Sequence, residues 1–194
     1  FGESAIQHYP VFERLEIAAF QTVNAISTAG YNSIPLSNLT LGVLLTIIFL
    51  MYVGAAPSST GGGMKITTLT AVIAIVKSKV RNQAKVTYLG KKIPADRLEM
   101  AVSTFIFYTA ILFFSVFLLS FTENQSLEKL LFEATSAIGT VGLSMGITGS
   151  LSVWGKIILI SIMFIGRVGV ITFGLAILAK KQHKKIDNET DLAV

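Results

Sequence analysis

A stretch of this chain occurs twice. Phe20–Gly54 (FQTVNAISTAGYNS…LTIIFLMYVG) aligns without a gap on Phe132–Gly166 (FEATSAIGTVGLSM…LISIMFIG), one copy 112 residues after the other. Phe20/Phe132, Ala25/Ala137, Ile26/Ile138, Thr28/Thr140, Gly30/Gly142, Leu39/Leu151, Ile48/Ile160, Met51/Met163 and Gly54/Gly166 are identical pairs. Each copy predicts a short amphipathic helix, a Thr-x-Gly turn and a long apolar helix. A short helix ending in such a turn between membrane spans is the layout of a pore loop, so two copies point to an ion pathway built from repeats.

That reading requires a membrane, and the composition agrees. The chain is 52% hydrophobic and only 14% charged, where soluble domains carry roughly 25% charged residues. Apolar runs long enough for a hydrocarbon core of ~30 Å occur at Leu39–Ala56, Leu98–Phe121 and Leu151–Ala179. With no cysteine there is neither a disulfide framework nor a thiolate metal site. Basic residues set the orientation. Lys77, Lys79, Arg81, Lys85, Lys91, Lys92 and Arg97 crowd one connection, and Lys180, Lys181, Lys184 and Lys185 crowd the tail, eleven of the sixteen in the chain. The opposite side carries Glu3, Glu13, Glu16, Glu123, Glu128 and Glu133 against Arg14 and Lys129. The positive-inside rule then places residues 77–97 and 180–194 in the cytoplasm, and both Thr-x-Gly turns face outward. Basic residues that flank membrane spans speak for topology and against nucleic-acid binding.

The expected architecture is an all-α membrane protein. Phe12–Ser27 is a pore helix with Glu13 and Glu16 in its first turns, where they suit the dipole. A turn at Ile34–Leu39 leads into the span Leu39–Gly54, which breaks and resumes as Ile66–Val80. Leu98–Phe121 is an outward span, and Ser126–Ile138 is a second pore helix with Ser126 as N-cap. Leu151–Lys181 is a long final helix with Trp154 and Lys156 at the outer interface. Residues 1–80 thus form one pore-loop repeat, 81–97 a basic cytoplasmic connection, 98–182 a second repeat and 183–194 a tail. Only the second repeat has its outer helix, so the chain reads as truncated at its N-terminus.

The turns suit potassium. A conducted potassium ion must exchange hydration water for other oxygens, and backbone carbonyls can supply them. Aiming carbonyls inward requires backbone conformations that glycine adopts at little steric cost. Thr28-Ala29-Gly30-Tyr31 and Thr140-Val141-Gly142-Leu143 each place a glycine at that position. A Thr-x-Gly tripeptide is also an ordinary helix C-cap; its recurrence at equivalent repeat positions favours the filter reading.

Two further features stand out. Gly54-Ala55-Ala56-Pro57-Ser58-Ser59-Thr60-Gly61-Gly62-Gly63-Met64-Lys65 cannot continue a lipid-facing helix, because its backbone groups would lack partners. It is a linker between two helices or, since Ile66–Val80 is short for a span, an intramembrane loop beneath the filter. Gly61-Gly62-Gly63-Met64-Lys65-Ile66 lacks the Gly-Lys-Ser/Thr of a phosphate-binding loop. Arg167 lies mid-way along the final span, where a charge costs at least ~2.5–3.5 kcal/mol and marks a pathway or a paired site. It aligns with Ala55, so it is expected near the loop, as a latch on the loop carbonyls or as a structural cap.

These residues resemble the TrkH/KtrB superfamily of bacterial potassium transporters, whose chains carry four outer helix–pore loop–inner helix repeats with one filter glycine each. Ser27–Ser33 (STAGYNS) looks like the third filter sequence and Gly139–Ser144 (GTVGLS) like the fourth. Gly54–Lys65 is similar to the third repeat's gating loop and Arg167 to the fourth inner helix's arginine. The likeness is closest to the KtrB branch and covers the C-terminal half of such a subunit. It implies potassium (K+) uptake, sodium (Na+) as an activating ion, a homodimer and a cytosolic nucleotide-binding ring of KtrA or TrkA type, with no nucleotide on this chain. The alternative is a non-conducting structural or regulatory membrane subunit. An enzyme fits poorly, since His8 and His183 lie at opposite ends and no catalytic constellation accompanies them.

Overall fold

The computed structural model describes residues 4–54, 56, 61–82, 86–88 and 91–169. Six α-helices order those residues: α1 (Val11–Ser27), α2 (Leu41–Val53), α3 (Ile66–Val80), α4 (Ala95–Thr122), α5 (Leu127–Ile138) and α6 (Val153–Val168). Single 3-10 turns at Leu36–Asn38 and Thr148–Ser150 precede α2 and α6. The basic connection contains a small hairpin, β1 (Thr87–Tyr88) paired antiparallel with β2 (Lys91–Lys92), which the hydrophobic pattern does not announce. Two residues per strand are too few for an alternation to be visible.

Length separates the helices. The 28 residues of α4 reach about 42 Å at 1.5 Å per residue, enough to cross a bilayer. Among the described residues α4 alone meets the length and apolarity expected of a full span, while α2 is a shorter apolar helix. The outer face of α4 presents Phe107, Phe113, Phe114, Phe117 and Phe121, apolar surface that suits hydrocarbon and would be a liability in water. Its inner face buries Tyr108, Leu112, Val116 and Leu119.

Helices α4, α5 and α6 form the packed centre. Helix α5 contacts α2, α4 and α6, and Leu130 together with every residue from Phe132 to Ile138 is buried. One core joins α4, α5 and α6 and includes Met64 from the loop. The other joins α2 to α5 through Leu44, Ile47, Ile48, Met51 and Phe132, with Val141, Leu143 and Met145 from the second turn. Helix α1 packs on α2 and leaves Phe12, Leu15, Phe20, Val23 and Ile26 exposed.

Two helix ends differ from expectation. Ser126 occupies the N-cap of α5, yet its hydroxyl donates to Glu128 Oε1 rather than accepting a backbone N–H. The capping serine is Ser152, whose Oγ accepts from Gly155 N at 3.1 Å. The final helix stops at Val168, with Gly169 at φ +91° as its C-cap; the remainder of the expected helix, to Lys181, lies outside the described residues.

Candidate functional site

Both Thr-x-Gly turns take the same unusual backbone. Thr28 and Thr140 have φ of 59° and 54°, and Gly30 and Gly142 have φ of 76° and 91°; Ala29 and Val141 between them do not have positive φ. A β-branched residue at positive φ is an outlier, so something must hold these threonines there. In each turn the residue after the threonine donates its N–H back into the preceding helix, α1 or α5. Ala29 N donates to Asn24 O at 3.3 Å, and Val141 N to Ser136 O at 2.9 Å, with donor and acceptor 112 residues apart between the copies. Helices α1 and α5 therefore each end at a turn, and the negative dipole end of each is directed there.

The two turns abut. A Cβ built on Gly30 would lie 2.3 Å from Val141 O and 3.2 Å from Gly142 Cα, and one on Gly142 would lie 3.7 Å from Gly30 Cα. Backbone meets backbone with no side chain between, and only glycine at position 30 permits this approach. Behind the second turn Val141 and Leu143 are buried in the core, whereas Tyr31 of the first is exposed.

The chain leaving each turn is tied to the helix before it, α1 or α5. Ser144 Oγ donates to Glu133 Oε1 at 2.6 Å, Met145 N donates to the same oxygen at 3.0 Å, and Thr148 Oγ1 donates to Glu133 Oε2 at 2.9 Å. In the first copy Gln21 Nε2 donates to Asn32 Oδ1 at 3.1 Å. Glu133 and Gln21 are both buried; the sequence offers Glu133 only as one of the outward acidic residues, and Gln21 does not stand out in it. A lone glutamate or glutamine on a helix ordinarily reads as a solvated face; the available signal was a polar pair at equivalent positions of both copies.

Of the loop, Gly54, Ala56 and Gly61–Lys65 are described, whereas Ala55, Pro57, Ser58, Ser59 and Thr60 fall outside the described residues. Its ends close on each other: Gly54 has φ +63°, and a Cβ there would lie 2.7 Å from Met64 O. Gly62 N donates to Thr140 Oγ1 at 2.8 Å, which seats the loop's return arm against the second turn. Lys65 Nζ donates to Gly61 O at 2.6 Å. Met64 is fully buried, and the ring of Tyr108 from α4, also fully buried, brings its hydroxyl to 3.5 Å from a Cβ built on Gly63. Arg167 lines a recess of about 460 Å³ with Glu133, Ser136, Thr140, Gly142 and Ser144. It therefore stands beside the second turn, the same turn that the loop touches through Thr140.

A family model described as TrkH, cation transport protein, matches residues 1–188. The chain belongs to the TrkH family. It is 34% identical over 179 residues to Ktr system potassium uptake protein B of Bacillus subtilis, covering 92% of this chain and 40% of that protein. Ktr system potassium uptake protein B of Vibrio alginolyticus is 37% identical over 156 residues, 80% of this chain and 34% of that protein. Potassium/sodium uptake protein NtpJ of Enterococcus hirae is 35% identical over 172 residues, 87% of this chain and 38% of that protein. The chain thus spans well under half the length of these relatives. Among solved structures it resembles the potassium transporter TrkH of Vibrio parahaemolyticus, with TM-score 0.73 and 22% identity over 90% of this chain and 39% of that one. The expected all-α fold and family hold, and the TrkH family comprises membrane-embedded cation transporters rather than enzymes.

Proposed function

We propose that this chain is the part of a potassium-uptake subunit that contributes two turns to its selectivity filter. The observation that carries the reading is the abutting pair of turns, each with a glycine at positive φ and a preceding threonine at positive φ. Carbonyl oxygens from Thr28-Ala29-Gly30-Tyr31 and Thr140-Val141-Gly142-Leu143 replace water around potassium, and the pore-helix C-termini favour a cation at that point. Residues 1–80 are then the third repeat and residues 98–182 the fourth. The exposed apolar face of α1 is covered by the preceding repeats of the full-length protein.

Several roles follow from this reading. Gly54–Lys65 is the gating loop beneath the filter, and Arg167 is its latch. The whole subunit sits in the bacterial cell membrane as a homodimer, with the basic connection 77–97 and the tail 180–194 on the cytoplasmic side. A cytosolic nucleotide-binding ring of KtrA or TrkA type docks on the connection and biases the loop, and sodium acts as an activating ion. The names of the Ktr and NtpJ relatives support potassium as the cargo.

The test is uptake by potassium-uptake-deficient cells expressing the full-length protein with Gly30→Ser or Gly142→Ser. Each is expected to raise KM for potassium, or to lower its selectivity over sodium, at unchanged membrane abundance. Unchanged kinetics in both variants would favour a non-conducting structural subunit instead.

A further inference from the structure

We infer that Glu133 and Gln21 are positioning residues for ion selectivity: each pins the chain leaving its filter turn to the pore helix behind, by hydrogen bonding rather than by charge. The inference rests on the filter reading above and adds to it what holds the filter's shape.

Equivalence of position is the first argument. Glu133 and Gln21 occupy the same place in the two copies, and each bonds the residue eleven positions further on, Ser144 and Asn32. Those partners lie two residues past Gly142 and Gly30. The bond therefore closes a loop containing the whole Thr-x-Gly turn, with the pore helix as its rigid side. Conformations with positive φ at a threonine cost about 1–3 kcal/mol each and persist only where the surroundings over-determine them. The backbone bond from the residue after each threonine fixes the entrance to the turn. This side-chain joint fixes the exit.

The two joints are unequal, for a reason visible in the residues. Glu133 accepts from the Ser144 hydroxyl, the Met145 N–H and the Thr148 hydroxyl, so both carboxylate oxygens are engaged. Gln21 makes one such bond, and its buried Oε1 has no partner among the described residues. The position equivalent to Thr148 is Leu36, which is buried and has no donor to offer. An amide occupies the joint in one copy and a carboxylate in the other, so the shared element is an acceptor or donor at a fixed place. Arg167 lines the same recess as Glu133, which makes a charge role the competing account.

The experiment uses the full-length protein in potassium-uptake-deficient cells, with KM, Vmax and potassium-over-sodium selectivity measured for Glu133→Gln and Glu133→Leu. The amide keeps an acceptor for Met145 N–H and Ser144 and a group able to donate to Thr148, so its KM should stay within about threefold of the parent. The leucine removes both acceptors, leaving the Met145 N–H and one of the two hydroxyls unpaired even if Ser144 and Thr148 bond to each other, and should raise KM roughly tenfold or more while lowering selectivity. Should Glu133→Leu fail to reach the membrane, Ser144→Ala combined with Thr148→Val removes two donors with Glu133 in place and should shift KM in the same direction. Unchanged KM and selectivity in the leucine variant, or in that double variant, overturns the inference. So does an amide variant as impaired as the leucine, because charge would then be at work. Gly142→Ser measured alongside separates the failures. If it alone changes selectivity, the filter reading stands and the positioning role falls; if it too changes nothing, the filter reading itself has failed.

Discussion

Gly166 has no room for a side chain. A Cβ there would lie 2.0 Å from Ile138 O and 2.8 Å from Ile138 C, both backbone atoms that cannot rotate away. Small residues at helix contacts in membranes allow this closeness, which is how α6 reaches the end of α5. Gly166→Ala should force the helices apart and cost about 1–3 kcal/mol, by analogy with overpacked cores. Thermal unfolding of the detergent-solubilised full-length protein reads the loss, whereas Gly42→Ala, whose Cβ would meet nothing within 4 Å, should not lower stability. Residues of this kind were legible in part. Gly30, Gly142, Gly54 and Gly166 stand out because they recur at one spacing; close backbone leaves no room for a side chain at Gly30, Gly54 and Gly166, and Gly142 has φ +91°. Tyr108 was not legible, since an aromatic within an apolar run carries no mark of the loop it packs against.

Helices were the most readable level, and their ends the least. The apolar run at Leu98–Phe121 predicts α4 to within a few residues, and Ile66–Val80 is α3 as expected, because length and polarity alone determine both. End chemistry depends on rotamers that a sequence does not display. Ser126 and Ser152 both stand at N-caps, yet only Ser152 accepts a helix N–H. Ser152 also donates through its own N–H to Glu123 at 3.1 Å, which ties the end of α4 to the start of α6. Its hydroxyl donates to the same carboxylate. Ser152→Ala should therefore destabilise by about 0.5–2 kcal/mol, the range for a lost cap. Ser126→Ala should stay within about 0.5 kcal/mol, as for surface changes away from such features. Denaturation of the two variants in detergent compares them directly, and equal losses would mean that Ser126 caps after all.

At the scale of the whole molecule, the loop and the second Thr-x-Gly turn form one connected unit. The loop's return arm meets Thr140 through Gly62, and Thr140 shares its recess with Arg167. A latch reading based on the alignment of Arg167 with Ala55 placed the arginine near the loop. The described residues add that the loop bonds to Thr140 and that Arg167 lines the recess on which Thr140 also opens, a juxtaposition no spacing along the chain reveals. Small side chains let the loop narrow a pore and withdraw from it, but glycines make it entropically costly to hold in place. The Gly62–Thr140 bond and a guanidinium with five donors are suited to hold it. Gly62→Ala would put a methyl group 2.5 Å from Thr140 Oγ1 and 2.6 Å from its Cγ2, so the Thr140 side chain or the arm must shift and the Gly62–Thr140 bond is disrupted. Arg167→Ala removes the cation beside the same turn and, on the proposed latch role, an electrostatic barrier to potassium. If Gly54–Lys65 is the gate, both substitutions should raise potassium flux and reduce its dependence on the cytosolic ring, with flux measured in proteoliposomes with and without that partner. Deleting Ser58–Gly62 should do the same more strongly. Lower flux with regulation intact in all three would make the loop a scaffold and Arg167 a structural cap, because a gate that has lost its hold cannot close more tightly.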